Sequence, residues 1–263
     1  MSVKTSNQIP FYYSPNFSSQ DQHLWDNNIV YASFSRVGGV SLAPYDSLNV
    51  SFSVGDDPLL VYENLRIIKD FLGLDSINMV NQIHGNKISC VDKANFSIFR
   101  TLSDADGLIT TLKGQGLLIK HADCQSISLF DPNLGLIANI HCGWRGLAGG
   151  IIERTISMFK DKGSNPSDIF AVISPSLGPC CFEFIGWKEL LPIWLQDFVV
   201  SSRYLDAWSA SEFMLRRCGL LKKRIFNFRI CTKCSLLHFS YRRERISGRL
   251  ATVIALKKSD KIG

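Results

Sequence analysis

Three short segments of the sequence carry side chains that could bind a metal ion. Residues 81–85 read Asn-Gln-Ile-His-Gly, residues 121–124 read His-Ala-Asp-Cys, and residues 141–146 read His-Cys-Gly-Trp-Arg-Gly. A catalytic zinc ion takes three protein ligands of nitrogen, sulfur or oxygen type and keeps one position open for water. His84, Cys124 and His141 would supply one ligand from each segment. Because no compact zinc motif accompanies them, their spacing alone also fits residues that merely pack in a core.

A further histidine, His121, lies close to Cys124 in the sequence and could be an alternative ligand or a neighbour of the site. In an alternating strand, His121 and Asp123 would share one face and Cys124 would point to the other. This geometry argues against one ion bound by both His121 and Cys124.

The chain has eight cysteines and no recognisable secretory signal. We therefore expect a cytoplasmic protein with reduced thiols rather than disulfides. Cys231 and Cys234 form a solitary CxxC, and one such pair cannot complete a structural zinc site. We interpret this pair as incidental, and Cys142, Cys180 and Cys181 as small core or loop residues.

Predicted strands and a turn would position the candidate ligands. Residues 116–130 read as one strand and residues 134–140 as a second, with Asp131 and Pro132 turning the chain into a hairpin. Cys124 lies in the first strand and His141 just beyond the second, so pairing would bring them together. After the turn at residues 143–146, apolar residues at helical spacing predict a helix that Gly163 ends.

Other elements are predicted along the chain. Asp57 and Pro58 begin a helix that Gly73 stops. Ser209 and Glu212 predict a capping box for a helix to about residue 223, and residues 169–174 and 250–256 predict buried strands. These elements indicate an α+β fold in which helices cover mixed sheets.

The composition is typical of one globular domain. The chain of 263 residues is 46% hydrophobic and 20% charged, without a low-complexity segment. We predict a single domain over residues 1–263, with residues 1–25 and 257–263 peripheral. The apolar runs are too short to span a bilayer, and the net charge of +6 comes without a nucleic-acid motif. We therefore predict neither a membrane nor a nucleic-acid partner.

Further segments extend the pattern along nearly the whole chain. They are residues 35–41 (Ser-Arg-Val-Gly-Gly-Val-Ser), 104–110 (Asp-Ala-Asp-Gly-Leu-Ile-Thr), 239–243 (Phe-Ser-Tyr-Arg-Arg) and 247–249 (Ser-Gly-Arg). Together with the three candidate metal-binding segments, and in order from about Tyr31 to Leu256, they resemble the laccase-domain family, also called polyphenol oxidase or YfiH-like proteins. The resemblance implies one domain with α/β/β/α layers and a metal bound by His84, Cys124 and His141.

The resemblance also implies an activity. It implies a zinc-dependent purine nucleoside enzyme, with copper as an alternative metal and with a purine nucleoside and phosphate as partners. Such proteins cleave adenosine, inosine and methylthioadenosine with phosphate and deaminate adenosine to inosine. A proton would then have to move through an acid. Candidate catalytic residues are Asp123 and Asp106 for the proton and Arg145, at a predicted helix start, for phosphate.

Residues that could contact the substrate complete the predicted site, namely Asn49, Gln82, Arg36 and Arg242. Amide side chains beside turns often only cap backbone groups, and arginines often form structural salt bridges, so a structural role stays open for each. The same holds for Arg145 and the two aspartates.

Other functions are also open. The strongest alternative is a cytoplasmic peptidoglycan-editing hydrolase that acts on muropeptide precursors through the metal or a Cys124–His141 pair. A copper-dependent polyphenol oxidase that reduces oxygen to water needs several coppers and many histidines, whereas the chain has five. A binding protein without turnover is a further class, against which the intact set of three ligands argues.

Overall fold

The computed structural model describes residues 12–258, so the predictions for residues 1–11 and 259–263 lie outside the described residues. The strands are, in chain order, β1 (Tyr12–Tyr13), β2 (Ile29–Phe34), β3 (Ser76–Asn81), β4 (Ile88–Cys90), β5 (Phe99–Asp104), β6 (Gly107–Thr110), β7 (Gln115–His121), β8 (Gln125–Asp131), β9 (Leu136–Cys142), β10 (Phe170–Ile173), β11 (Val199–Val200), β12 (Tyr204–Leu205), β13 (Ile225–Asn227) and β14 (Leu250–Leu256). The helices are α1 (Ser19–Asn28), α2 (Pro58–Phe71), α3 (Trp144–Ala148), α4 (Ile151–Asp161), α5 (Trp187–Leu190), α6 (Ile193–Gln196), α7 (Ala207–Arg217) and α8 (Tyr241–Glu244).

Local sequence explains the start and end of α2. The Asp57 carboxylate accepts a hydrogen bond from the Leu59 N–H at 2.9 Å, and Pro58 occupies the first turn, where no N–H is needed. Gly73 follows the helix with φ of +63°, a conformation that favours glycine. The predicted helix start and stop are confirmed.

Two six-stranded mixed sheets form the centre of the molecule. The first has the order β1-β2-β14-β7-β3-β5 and the second the order β13-β10-β8-β9-β6-β4. β7 is parallel to β3 and antiparallel to β14, while β8 and β9 pair as an antiparallel hairpin. The predicted hairpin and the strand at residues 250–256 are therefore confirmed.

Apolar side chains fill three interfaces between the layers. Along β7, Ile119 belongs to the cluster between the two sheets, whereas Leu118 packs in the cluster that contains Leu65 of α2. The outer face of the second sheet packs against α4 and α7, as Ile156 and Met214 illustrate. These layers confirm the predicted α+β class, with helices covering both outer faces.

Several predicted elements differ from the structure. Residues 116–130 form two strands, because the chain ends β7 at His121, crosses to the other sheet and begins β8 at Gln125. The helix after residue 146 is divided into α3 and α4 at Gly150, whose φ is +78°. Asp206 rather than Ser209 caps α7, and the helix ends at Arg217.

Part of the segment predicted to be peripheral lies in the core. Trp25 is 1% exposed and packs with Phe17 in the cluster between the sheets. Burial of these two aromatic rings ties residues 17–25 to the domain. Within residues 12–258, no helix has the length and apolar character needed to cross a membrane.

Candidate metal centre

The three predicted metal ligands converge where the chain passes between the sheets. His84 follows β3, Cys124 lies in the crossing from β7 to β8, and His141 lies in β9, one residue before its end. One ligand atom from each lies within 4.8 Å of the others, and the two imidazole rings stand nearly perpendicular with centroids 4.9 Å apart. The structure therefore brings together side chains that are distant in the sequence.

Asp106 orients two of these ligands. Its carboxylate accepts a hydrogen bond from His141 Nδ1 at 2.9 Å and from the backbone N–H of His84 at 2.9 Å and of Gly85 at 2.6 Å. Since Nδ1 of His141 is engaged, Nε2 is the nitrogen available to a metal. Asp106 is fully buried, and these bonds lower the pKa of its carboxyl group although burial opposes ionisation.

Cys124 and His141 favour each other's charged form. Burial alone would raise the pKa of the Cys124 thiol, but the charge of His141 and hydrogen bonds from His141 and His84 lower it to about 6. Burial would likewise lower the pKa of His141, but Cys124 and Asp106 together raise it to about 9. Without a metal, the pair therefore favours a thiolate and an imidazolium around neutral pH.

Unusual backbone conformations and one glycine make room for the ligands. His84 has φ of +60° and Asp123 has φ of +95°, both in the left-handed region that non-glycine residues rarely adopt. A Cβ atom on Gly143 would lie 3.1 Å from Cys124 Sγ and 3.6 Å from His84 Cδ2. The absence of a side chain at Gly143 therefore lets the β9–α3 connection pass directly beside the cysteine and histidine.

A cavity of about 520 Å³ opens onto the three ligands, a size that suits a small organic molecule. Of the candidate catalytic and substrate-binding residues, Gln82, Asp123 and Arg242 line this cavity. Gln82 bonds through its side chain to the backbone N–H and C=O of Lys120. Asp123 accepts hydrogen bonds from Thr232 Oγ1 at 2.7 Å and the Arg242 N–H at 2.6 Å.

The other predicted site residues do not line the cavity. Asp106 is buried behind His141 and cannot reach a substrate. The Arg36 guanidinium pairs with Asp46 at 3.0 Å and Glu244 at 2.8 Å, which is a structural role.

Asn49 and Arg145 are also separated from the cavity. Asn49 is fully buried and accepts a hydrogen bond from the Arg249 N–H at 2.9 Å, so it positions the chain beside the cavity instead. Arg145 is exposed and stacks on Trp144, with its guanidinium carbon 4.3 Å from the ring centroid. Its helix has five residues and provides no extended N-terminal anion site.

Two cationic residues of the cavity escape the sequence-based prediction, namely Lys120 and Arg249. Burial and the charge of Arg249 lower the pKa of Lys120, and burial also lowers the pKa of Arg249. The Ser-Gly-Arg segment at residues 247–249 was a signal for Arg249. No feature of the sequence predicted Lys120 as a cavity residue, since lysines near the ends of strands are common.

The donor set fits a metal ion such as zinc. Two imidazoles and a thiolate are suitable ligands, the carboxylate of Asp106 supports one imidazole, and the cavity gives access to an open position. His121 is not part of this group. It is buried in β7, and its Nε2 lies 2.9 Å from Thr252 Oγ1.

The chain is similar to known proteins over most of its length. Residues 30–257 match the family described as multi-copper polyphenol oxidoreductase laccase. The protein named purine nucleoside phosphorylase SCO2081 from Streptomyces coelicolor is 32% identical over 228 residues, covering 84% of this chain and 93% of the relative. Purine nucleoside phosphorylase YfiH from Escherichia coli K12 is 34% identical over 233 residues, covering 85% and 92%. The crystal structure of the hypothetical protein YfiH from Bacillus licheniformis gives a TM-score of 0.81 at 28% identity, covering 94% of this chain and 99% of that one.

Proposed function

We propose that this chain, which belongs to the multi-copper polyphenol oxidoreductase laccase family, is a zinc-dependent purine nucleoside enzyme. It cleaves adenosine, inosine and methylthioadenosine with phosphate and deaminates adenosine to inosine. The observation that carries the proposal is the convergence of His84, Cys124 and His141 on one open cavity. The relatives named purine nucleoside phosphorylase support the substrate class.

His84, Cys124 and His141 would hold the zinc ion, and Asp106 would keep His141 in the tautomer that binds it. When bound there, zinc supplies a Lewis acid that lowers the pKa of a bound water. The low pKa of Cys124 means that its thiolate is already available near neutral pH. The remaining chemistry falls to the residues of the cavity wall.

The apolar part of the wall suits a purine base. Trp144, Phe182 and Tyr241 present aromatic rings to the cavity, and Leu177 adds apolar surface. Aromatic rings stack on bases with a gain of about 1–3 kcal/mol per base. Both polar groups of the Gln82 side chain bond to the backbone of Lys120, so we assign Gln82 to shaping the cavity wall rather than to binding the base.

The cationic part of the wall suits phosphate. Lys120, Arg242 and Arg249 line the cavity, and the charge of Arg249 disfavours protonation of Lys120. An anion between these side chains would relieve their repulsion and would receive charge-assisted hydrogen bonds. We therefore assign phosphate binding to these residues rather than to Arg145.

Asp123 is the acid that we assign to proton movement, because it lines the cavity beside Cys124 whereas Asp106 does not. Its carboxylate is oriented by Thr232 and by the backbone of Arg242, which leaves it fixed beside the ligands. A carboxylate in this position can accept a proton from an attacking water and deliver it to a leaving amine.

Zinc is preferred over copper as the metal on the basis of the histidine inventory. The chain has five histidines, of which His23, His121 and His238 lie outside the group of three ligands. A multi-copper oxidase requires more copper ligands than this group supplies. The eight free cysteines also support a reducing, cytoplasmic location.

One observation favours a second candidate function. The thiol of Cys124, with a pKa of about 6 beside His141, has the properties of a nucleophile in a Cys–His hydrolase. The chain would then act on an amide or ester, as in a muropeptide precursor, without need of a metal.

Incubation of the purified protein with adenosine and phosphate, with and without a chelator, tests the proposal. We expect adenine from phosphorolysis and inosine from deamination, loss of both on chelation, and recovery on adding zinc. His84→Ala, Cys124→Ala and His141→Ala should each abolish turnover and lower bound zinc, whereas Cys90→Ser, an exposed control, should change neither. Full nucleoside turnover by zinc-free protein would contradict the zinc dependence. Turnover of an amide or ester substrate that survives chelation and is lost in Cys124→Ala would instead support the thiol hydrolase.

A further inference from the structure

Four cysteines outside the catalytic cavity gather at one point of the surface. Cys180 and Cys181 lie in the loop after β10, and Cys231 and Cys234 lie in the loop after β13. One Sγ from each lies within 4.8 Å of the others. The Sγ of Cys234 is 3.7 Å from that of Cys180 and 3.5 Å from that of Cys181. The CxxC is therefore not solitary, since the fold supplies a second pair that the sequence spacing hides.

These distances fit a single metal ion. Four thiolates arranged as a tetrahedron around zinc, at Zn–S distances of about 2.3 Å, stand about 3.8 Å from one another. A disulfide would require a separation of about 2.0 Å, and all eight cysteines are free. An iron–sulfur cluster spreads its cysteine ligands over several irons, so their sulfurs would stand further apart than in this group.

We propose that Cys180, Cys181, Cys231 and Cys234 bind one structural zinc ion through four thiolates, separately from the His84–Cys124–His141 centre. Four protein ligands close the coordination shell and leave no position for water or substrate, which distinguishes this site from the catalytic centre. The site is independent of the proposed nucleoside chemistry.

The backbone around Cys231 is arranged for a thiolate. The Gly178 N–H donates to Cys231 Sγ at 3.3 Å, which links the two loops directly. N–H donors to the sulfur are the expected surroundings of a metal-bound cysteine.

The loop that carries Cys231 and Cys234 is also held by a cation. Nη1 of Arg243 donates to the carbonyl oxygens of Thr232 at 2.9 Å, Lys233 at 2.8 Å and Ser235 at 3.0 Å. These bonds shape the turn that presents Cys231 and Cys234. They also bring a positive charge close to a site that would be net negative with four thiolates and one divalent ion.

The zinc would fasten two parts of the catalytic cavity wall. Phe182, which lines the cavity, directly follows Cys181, and Thr232, which holds the carboxylate of Asp123, directly follows Cys231. Joining these loops through an ion therefore fixes both the apolar wall and the acid. Loss of the ion should loosen the wall without removing a group that touches the substrate.

The test uses the full chain with Cys124 replaced by alanine, which removes the one thiolate of the catalytic centre. We expect about two zinc ions per chain in the wild type and about one in Cys124→Ala. Adding Cys231→Ser and Cys234→Ser should remove that last ion, whereas adding Cys90→Ser and Cys218→Ser, a matched pair outside the cluster, should retain it. Cobalt in place of zinc in Cys124→Ala should give the intense thiolate-to-metal bands of a four-sulfur tetrahedral site.

Several results would overturn the proposal. One is that purified Cys124→Ala is folded, contains no zinc and gives no thiolate bands with cobalt. Another is that adding Cys231→Ser and Cys234→Ser to Cys124→Ala leaves its zinc content unchanged. If that variant fails to fold, Cys180→Ser, an exposed position, and the cobalt spectrum of Cys124→Ala decide the question. Since all readouts are metal content and spectra, an inactive wild type would refute the nucleoside proposal and leave this one standing.

Discussion

The arrangement of Asp106, His141 and Cys124 shows how single residues tune the candidate centre. Asp106 is fully buried and would be costly there if its hydrogen bonds were not satisfied, but His141 and three backbone N–H groups engage it. Its charge raises the pKa of His141 and, through that imidazole, supports the thiolate of Cys124. One carboxylate thereby sets the geometry of two ligands and the charge of the third.

Replacing Asp106 with asparagine tests this role at the residue scale. The amide keeps the size of the side chain but loses the charge, so the affinity for zinc should fall by about 10–100-fold. The measurement is a competition titration with a chromophoric chelator, and the pKa of His141 in the metal-free protein should fall as well. Asp104→Asn is the matched control, since this exposed carboxylate bonds Asn81 rather than a ligand. An unchanged affinity for zinc in Asp106→Asn would contradict the assignment.

At the scale of elements, strand pairing rather than sequence proximity builds the cationic wall. β14 pairs with β7, with Ala251 opposite Lys120 and Leu250 opposite His121. Arg249, one residue before β14, therefore enters the cavity beside the end of β7. Asn49 fixes the backbone there by accepting the Arg249 N–H at 2.9 Å.

Replacing Arg249 with alanine tests which element binds phosphate. Losing one charge-assisted hydrogen bond, worth about 1.5–3 kcal/mol, should raise the KM for phosphate by about tenfold or more. Deamination, which needs no phosphate, should change much less. Arg154→Ala on the exposed face of α4 is the control and should leave both reactions unchanged. A larger phosphate effect in Arg145→Ala than in Arg249→Ala would return the site to the start of α3.

Elements with local signals were predicted from the sequence, and those set by tertiary contacts were not. The Asp57–Pro58 cap and the alternating hairpin strands are encoded by neighbouring residues. The break between β7 and β8 is not, because no glycine or proline marks it and Asp123 takes φ of +95° in order to pass between sheets. The three candidate ligands were proposed from their residue types and from resemblance to a family. Lys120 and the four-cysteine group became visible only when distant strands and loops came together.

At the scale of the whole molecule, the core contains histidines that must stay neutral. His121 and His238 are both buried, at 1% and 0% exposure. Burial and nearby positive charges, from His141 in the first case and Arg243 in the second, lower their pKa values to about 3 and about 4. Unfolding releases both side chains into water, where the ordinary pKa of histidine is about 6.5.

Acid should therefore destabilise the metal-free protein between about pH 6 and pH 5. In that range the unfolded chain binds protons that the folded one does not, so the free energy of unfolding falls as the pH falls, by up to about 1.4 kcal/mol per pH unit for each histidine. Cys124, with a folded pKa of about 6, is partly thiolate at pH 6 whereas the unfolded thiol is protonated, so it adds to the slope. His141, with a folded pKa of about 9, stays protonated and opposes the slope, because the unfolded imidazole is partly neutral at pH 6. Both contributions are present in every variant and cancel when the variants are compared. Urea unfolding at pH 6.0, 5.5 and 5.0 measures how steeply the free energy of unfolding changes with pH. His238→Gln should reduce this slope by the contribution of one histidine, up to about 1.4 kcal/mol per pH unit. His23→Gln, on the exposed side of α1, should leave the slope unchanged, and an equal slope in His238→Gln would show that this histidine does not carry the effect.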